Sequence, residues 1–405
     1  SPSVTMAVYP ESEYLKIPAI YCSTVGIFPW KFMFQDNKRL QKIYRYYSMV
    51  MFSWCIGFVV TDCIQLAILL SSDTLNMQDI SFNSCITLLL ICIGLRGLII
   101  CYSPHSENII QSIIDSEKIT YLDDAECMKM EKKHTRIVRL ITHYYFILMI
   151  FTTTLRFVYF FCKEPDFIQN GNATVIVKDH ILSIWFPLDR EKYYLTVVGI
   201  EVFDSFFGTL FVTYVDIYTF NMISYPKGQL KKLQHIIKHF HIYKTKYNFK
   251  ANEERDSIVF RDLIQRHKKI IQHINAYNES MELVAIFEFG QSSAQIACVL
   301  TQTSLNDLTI SSFLFVMSFL VSMLVRLFLY YYTANDVTIE STNLAQSIWE
   351  SNWYEDSKKV KLSMLMVLLR AQKPLTFKIG GFGAMSVQSI VTVTYENFCP
   401  NYTLN

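Results

Sequence analysis

Apolar runs of membrane-spanning length recur along this chain, separated by two short loops without Lys or Arg, one long mixed loop and longer stretches rich in Lys and Arg. A helix needs ~20 mostly apolar residues to cross the hydrocarbon layer of a bilayer. Six windows meet that need: Tyr44–Leu70, Ile80–Tyr102, Ile137–Cys162, Leu195–Ile223, Met281–Gln302 and Thr309–Thr333. A seventh, weaker window covers Ile379–Phe398. The pattern predicts an all-α membrane protein with seven transmembrane helices.

Some of the polar connections also repeat apolar residues at helical spacing. Lys227–Tyr243 carries Leu230, Leu233, Ile236, Ile237 and Phe240, and Ser257–Glu279 carries Ile258, Leu263, Ile264, Ile270, Ile271 and Ile274. Thr338–Trp349 and Val360–Ala371 do the same on either side of Trp353. So much Ile, Leu and Phe does not suit a solvated loop. A packed cytosolic bundle that prolongs the fourth and fifth spans is expected. The alternative is a set of basic helices lying on the lipid surface. Pro374 stops the last of these helices, and Gly380, Gly381 and Gly383 supply a turn before the seventh span.

Charge sets the orientation. Basic residues crowd the N-terminal flank (Lys16, Lys31, Lys38, Arg39, Lys42), the second connection (Lys129 to Arg139), the fourth (Lys227 to Lys269) and the sixth (Lys358 to Lys378). The first and fifth connections, SSDTLNMQD and SLNDL, hold none. Cytosolic loops carry the Lys and Arg excess, so the N-terminus is expected in the cytosol and the C-terminus outside. Six segments follow: a cytosolic segment over residues 1–43, spans one to four over 44–223, a cytosolic extension over 224–280, spans five and six over 281–334, cytosolic anchor helices over 335–378, and the seventh span with an extracellular tail over 379–405. The sequon at Asn172 falls outside and is the expected glycosylation site, as does Asn401. Asn278 falls inside and is expected to stay unmodified. The opening SPSVTMAVYPESEY lacks a leader pattern, so the first span is expected to act as its own signal anchor.

Composition changes the picture little. Hydrophobic residues make up 51% of the chain and charged ones 18%, the latter below the ~25% of a soluble domain. The net charge is +2 and no long basic tract occurs, which argues against nucleic acid as a partner. Cys22, Cys55, Cys63, Cys85, Cys92, Cys101, Cys127, Cys162, Cys298 and Cys399 lack zinc spacing, and most read as small buried hydrophobes. His235, His239 and His241 show no metal pattern and read as a helix face. No nucleophile, zinc-hydrolase or phosphate-loop motif is present, so no enzyme activity, cofactor or metal is expected. Asp62, Arg96, Arg156, Glu201, Asp204, Asp216, Glu288 and Arg326 fall inside spans. Each must face protein or water. Depth suggests Arg156 with Glu201 or Asp204, and Asp216 with Arg326. Such pairs serve either as interhelical glue or as the polar wall of a cavity.

The seventh span is the least lipid-like. Gln388, Thr392, Tyr395 and Cys399 share one helical face, beside a stripe of Val387, Val391, Thr394 and Phe398. A polar face next to an apolar stripe suits a channel wall, or else a buried interhelical contact.

The last ~60 residues carry a specific signature. Ser351-Asn352-Trp353-Tyr354, the run Met364 to Leu375 (MLMVLLRAQKPL) and Gly381-Phe382-Gly383-Ala384-Met385-Ser386 together resemble the C-terminal elements of insect odorant receptors. The resemblance implies a tetrameric, odorant-gated cation channel with four seventh helices around the pore. Gln388, Val391, Thr392 and Tyr395 would line it. Trp353, Tyr354, Leu365, Leu368, Leu369 and Pro374 would form the cytosolic anchor where subunits meet. It further implies a plasma-membrane location in sensory neurons, a small volatile organic ligand, and assembly with an odorant co-receptor, whose long insertion between the fourth and fifth spans this chain lacks. One departure is Pro400, which breaks the helix where the family has an S-Y-S-Y-F-like run.

The same resemblance puts the ligand pocket in the outer half, among spans two, three, four and six. Depth then selects Phe82, Ile86 and Leu89; Met149, Thr153 and Phe157; Val198, Val202 and Phe206; and Phe313 and Met317. An apolar, aromatic cavity with few polar groups suits small volatiles. The rival readings fit less well. A gustatory-type channel would end in T-Y-x-x-x-x-Q-F, and a G-protein-coupled receptor needs an external N-terminus with D-R-Y and N-P-x-x-Y elements. A transporter would show paired broken helices in repeated halves.

Overall fold

The computed structural model describes residues 8–72, 77–118, 124–163, 166–170, 173–177, 180–187, 189–246, 252–305 and 310–389. Among them the α-helices are α1 (Lys16–Thr24), α2 (Lys38–Leu70), α3 (Met77–Tyr102), α4 (Pro104–Lys118), α5 (Ala125–Cys162), α6 (Tyr194–Lys238), α7 (Phe240–Tyr243), α8 (Asn252–Leu305), α9 (Ile310–Trp349) and α10 (Lys358–Ala371). Windows long and apolar enough to cross a membrane occur in α2, α3, α5, α6 and α9. The expected fifth span forms part of α8.

Two expectations change. In place of a purely α chain, the connection between α5 and α6 carries strands. It holds an antiparallel hairpin, β1 (Asp166–Asn170) and β2 (Ala173–Val177), with Asn170 opposite Ala173. Phe167, Ile168, Val175 and Ile176 supply the β-branched and aromatic content that strands favour. The sequons at Asn172 and Asn401 lie outside the described residues. The second change concerns the seventh span, which does not start at Ile379. Residues 379–386 form a turn, with Ile379 N–H donating to Gly383 O (2.8 Å) and Met385 N–H to Phe377 O (2.8 Å). Helical backbone resumes only at Val387. Gly380 sits at φ +51°, and a Cβ there would lie 2.2 Å from Ile286 Cδ1. Conformation and close packing together require glycine at this position.

Of the amphipathic stretches read from sequence, those in α6, α8 and α9 continue a span as one rod, while Val360–Ala371 lies in the separate α10 and Phe240–Tyr243 in α7. Helices α6, α8 and α9 have 45, 54 and 40 residues. At 1.5 Å per residue each is about 60–80 Å long, roughly twice the hydrocarbon thickness. Asn37 caps α2 by accepting from the amides of Arg39 and Leu40. Asp124 caps α5 in the same way through Glu126 and Cys127.

Helix α6 is the central rod. Every residue from Phe211 to Pro226 is buried, as expected of a helix packed on all sides. The opening segment packs against it instead of lying free: Leu15, Ile27 and Phe28 are fully buried, and Cys22 Sγ donates to Tyr214 O (3.3 Å).

Pro226 explains much of the packing around α6. It has no N–H to offer, so the Met222 carbonyl four residues back loses its helical partner. His273 of α8 supplies a substitute, its Nε2 donating to Met222 O at 3.0 Å. Burial pushes this imidazole down to about 4, so it is neutral at physiological pH and can present a single N–H donor. Nearby carbonyls are met as well. Tyr14 Oη donates to Asn221 O (2.7 Å) and His134 Nε2 to Ser224 O (3.2 Å). His273→Leu is expected to lower stability by about 1–3 kcal/mol, the cost of a buried unsatisfied carbonyl, measured as thermal unfolding in detergent. Pro226→Ala restores the helical donor to Met222, so His273→Leu should cost far less in that background. An equal cost in both backgrounds would disprove the substitution of one donor for the other.

Candidate functional site

A cavity of about 140 Å³ lies inside the bundle, between α3, α5, α6 and α9. Its α6 wall is Ser205, Gly208, Thr209 and Val212. These residues follow i, i+3, i+4, i+7 spacing, so one face of the rod is made of small side chains. The other helices cannot close onto that face, and space remains. Phe315 and Phe319 of α9 and Phe58 of α2 supply aromatic walls. Polar groups are few. Thr153 and Thr209 share a hydrogen bond of 2.9 Å, and Asp204 accepts from Trp54 Nε1 at 3.0 Å.

The segment 180–187 roofs this space. Ile181, Leu182 and Ile184 are buried among the helices, and Leu182 touches the cavity. The segment is held through its backbone. Arg156 donates to Ile181 O, while Glu201 accepts from Ile181 N–H (2.9 Å) and lies 3.0 Å from His180 Nδ1. The arginine and the acid expected to pair therefore grip opposite sides of one residue.

The candidate pocket residues divide into groups. Ile86, Leu89, Met149 and Thr153 line the cavity. Phe157, Val198 and Val202 pack into the cluster around Ile181 and Leu182 above it. Phe206, Phe313 and Met317 point to the outer surface, at 45%, 46% and 37% exposure. Depth alone does not fix the rotation of a helix, and the inward positions on α6 and α9 are Ser205, Gly208, Phe315 and Phe319. The run of small residues on α6 was the available signal. Phe82 belongs to α3, and its side chain lies outside the described residues.

One turn below the cavity stands a charge cluster. Val212 is followed four residues on by Asp216, and Ser322 by Arg326. Arg96 of α3 lies 3.3 Å from Asp216 and also contacts Glu288 of α8. Arg326 lies 3.2 Å from Asp216 and completes the ring on Glu288. Tyr145 and Tyr330 each donate to Asp216 at 2.7 Å. All four charged side chains are at most 9% exposed, and their charges cancel. The pairing of Asp216 with Arg326 was legible from depth; Arg96 and Glu288 were not assigned to it.

At the opposite end of the long helices, α10 presents an uncovered apolar face. Leu362, Leu365, Met366 and Leu369 are 50–61% exposed. Leu368, Trp349 and Trp353 border a groove beside it, with the two indoles edge to face at 5.8 Å. Tyr354 and Pro374 are also exposed. After Pro374 the chain runs extended between α8 and α9. Leu375 N–H donates to Ser341 Oγ (2.9 Å), and Asn278 brackets the strand through Thr376 O (2.9 Å) and Lys378 N–H (3.0 Å). With both ends of its amide engaged, Asn278 is unsuited to glycosylation. Gln388 is exposed on the last described turn. Val391, Thr392 and Tyr395 lie outside the described residues.

Comparison with known proteins gives this architecture its relatives. The family profile described as 7tm Odorant receptor matches residues 76–395. The chain belongs to that family. Odorant receptor 30a of Drosophila melanogaster is 24% identical over 94% of this chain and 95% of its own length. Odorant receptor 10 of Aedes albopictus is 27% identical over 42% of this chain, a match that spans less than half, 45%, of that relative. The insect olfactory receptor OR5 from Machilis hrabei, solved in complex with eugenol, superposes with a TM-score of 0.76 over 95% of each chain at 14% identity. At that identity the likeness establishes a shared fold.

Removing one member of the charge cluster should be costly for this receptor. Asp216→Ala leaves Arg96 and Arg326 with one acid between them and is expected to lose about 3–5 kcal/mol. Fluorescence-detected thermal unfolding would measure it. A loss under 1 kcal/mol would mean that water or lipid already compensates these charges.

Proposed function

We propose that this receptor is the odorant-binding subunit of a ligand-gated, nonselective cation channel. It would sit in the plasma membrane of olfactory neurons and assemble with an odorant co-receptor as a heterotetramer. The observation that carries the reading is the roofed apolar cavity of a family member, set one helical turn above a joint that ties the helices together. Seven spans with a cytosolic N-terminus are part of the proposal. The basic connections and the extension of α6, α8 and α9 far beyond bilayer thickness support them.

A small volatile molecule buries its apolar surface between Phe315, Phe319 and the small-residue face of α6. Thr153, Thr209, Ser205 and Ser322 offer neutral polar contacts, and Asp204 and Arg156 charged ones. A ligand shifts the gate only through its different affinity for the open and closed arrangements. Displacement of α6 and α9 at the cavity acts on Asp216 and Arg326, and through Glu288 on α8. Beside Glu288, Phe289 stacks on Phe382 at 5.9 Å, in the turn from which the last span departs. That span, with Gln388, Val391, Thr392 and Tyr395, is the proposed pore wall. The uncovered leucine face of α10, with Tyr354 and Trp353, is the proposed subunit contact, since soluble surfaces rarely leave such a patch open.

Voltage-clamp recording tests the reading. Odorant-evoked, cation-carried current is expected when this chain is expressed with the co-receptor. Its absence across a broad panel of volatiles, with both subunits at the surface, would refute the proposal. Location of the ligand is tested separately. A Cβ at Gly208 would meet only Phe58, at 3.6 Å, so Gly208→Val should fold while filling the cavity. It is expected to raise the half-maximal odorant concentration about tenfold or more, equivalent to about 1.4 kcal/mol. Phe206→Ala, on the outer surface, should leave it unchanged. The reverse pattern would move the ligand to the lipid-facing side.

A further inference from the structure

At the end of the bundle remote from the cavity, the first turn of α5 meets the last turns of α6. Asp124, Cys127 and His235 converge there, with one donor atom from each lying within 4.8 Å of the others. We propose that these three residues bind a zinc ion that clamps the start of α5 to the end of α6. A thiolate, an imidazole and a carboxylate form a donor set that favours Zn2+ over Ca2+ or Mg2+, which prefer all-oxygen shells.

The supporting groups are already ordered. The Asp124 carboxylate is fixed by the amides of Glu126 (3.1 Å) and Cys127 (2.8 Å), and it accepts from Tyr243 Oη at 2.7 Å. Tyr243 Oη also lies 3.5 Å from Cys127 Sγ, so without metal the phenol bridges two of the ligands. In tetrahedral zinc sites the donor atoms stand roughly 3.3–3.8 Å apart, given Zn–S and Zn–N bonds of about 2.3 and 2.0 Å. From a spread of up to 4.8 Å, binding would draw the three donors together by about 1 Å. On binding, Cys127 releases its thiol proton to water as sulfur takes the metal. Glu126, with Oε2 3.6 Å from His235 Nε2, or a water completes the shell. The donors come from two helices distant in sequence, so no zinc spacing marks them.

The test uses full-length receptor in detergent, stripped of metal by chelator and titrated with Co2+. One equivalent should produce a thiolate-to-cobalt charge-transfer band in the near ultraviolet and tetrahedral visible bands, both abolished by added Zn2+. Cys127→Ser and His235→Gln should each lose the band, while Cys63→Ser, an exposed cysteine elsewhere, keeps it. Zinc should raise the unfolding temperature of the parent protein but not that of His235→Gln. Should Cys127→Ser fail to fold by size exclusion, His235→Gln decides alone. No band at stoichiometric Co2+, a signal only at millimolar metal, or a band that survives His235→Gln would overturn the proposal.

Discussion

Two arginines, two acids and two tyrosines meet where α3, α5, α6, α8 and α9 come together. The rest of the bundle is arranged around that junction. A lone charge at the centre of a membrane helix costs at least ~2.5–3.5 kcal/mol, so none of the four can face lipid. Asp216 alone engages Arg96, Arg326, Tyr145 and Tyr330. Satisfying it fixes the rotation of each contributing helix about its axis. Once α6 is turned so that Asp216 faces this ring, the face one to three turns above it is also set. There the sequence places Ser205, Gly208, Thr209 and Val212. The cavity is thus the space left when the charge cluster dictates phase and small residues occupy the inward positions.

A second constraint acts along α6. A rod buried on every side has no water to satisfy a broken backbone bond, and Pro226 breaks one. The replacement donor at Met222 comes from α8, and neighbouring carbonyls take Tyr14 and His134. Each contact joins α6 to a different part of the chain, so a local defect becomes a point of tertiary attachment. The Tyr14 bond to Asn221 O ties the opening segment back onto α6 beside that defect.

The sequence displayed the elements that depend on hydrophobic length and period. Long apolar runs marked α2, α3, α5, α6 and α9, and periodic Ile and Leu marked the extensions of α6 and α8. The stop at Pro374 and the turn around Gly380 were also visible. What the sequence hid was relative rotation. Phe206, Phe313 and Met317 lie near the depth of the cavity but face outward, because a one-residue step turns a side chain by about 100°. The window drawn from Ile379 overlapped the glycine turn read at Gly380 to Gly383, and the apolar Leu375, Phe377 and Ile379 lead into that turn. They alternate in an extended segment buried between α8 and α9, and a window average does not distinguish period two from period 3.6. Arg156 and Glu201 were legible as neighbours, yet their common target is a main-chain amide and carbonyl, which leave no side-chain signal.

That grip on Ile181 matters for how a roofed cavity can open. Arg156 lines the cavity and Glu201 packs beside its roof, and each is satisfied by the same peptide segment. Lifting the segment would break the contacts of Arg156 and Glu201 to Ile181 together, at two buried charged side chains. Removal of the whole roof is therefore a poor entry route. In the proposed odorant-binding role, passage between Phe319 of α9 and Met149 and Thr152 of α5 would break none of these contacts.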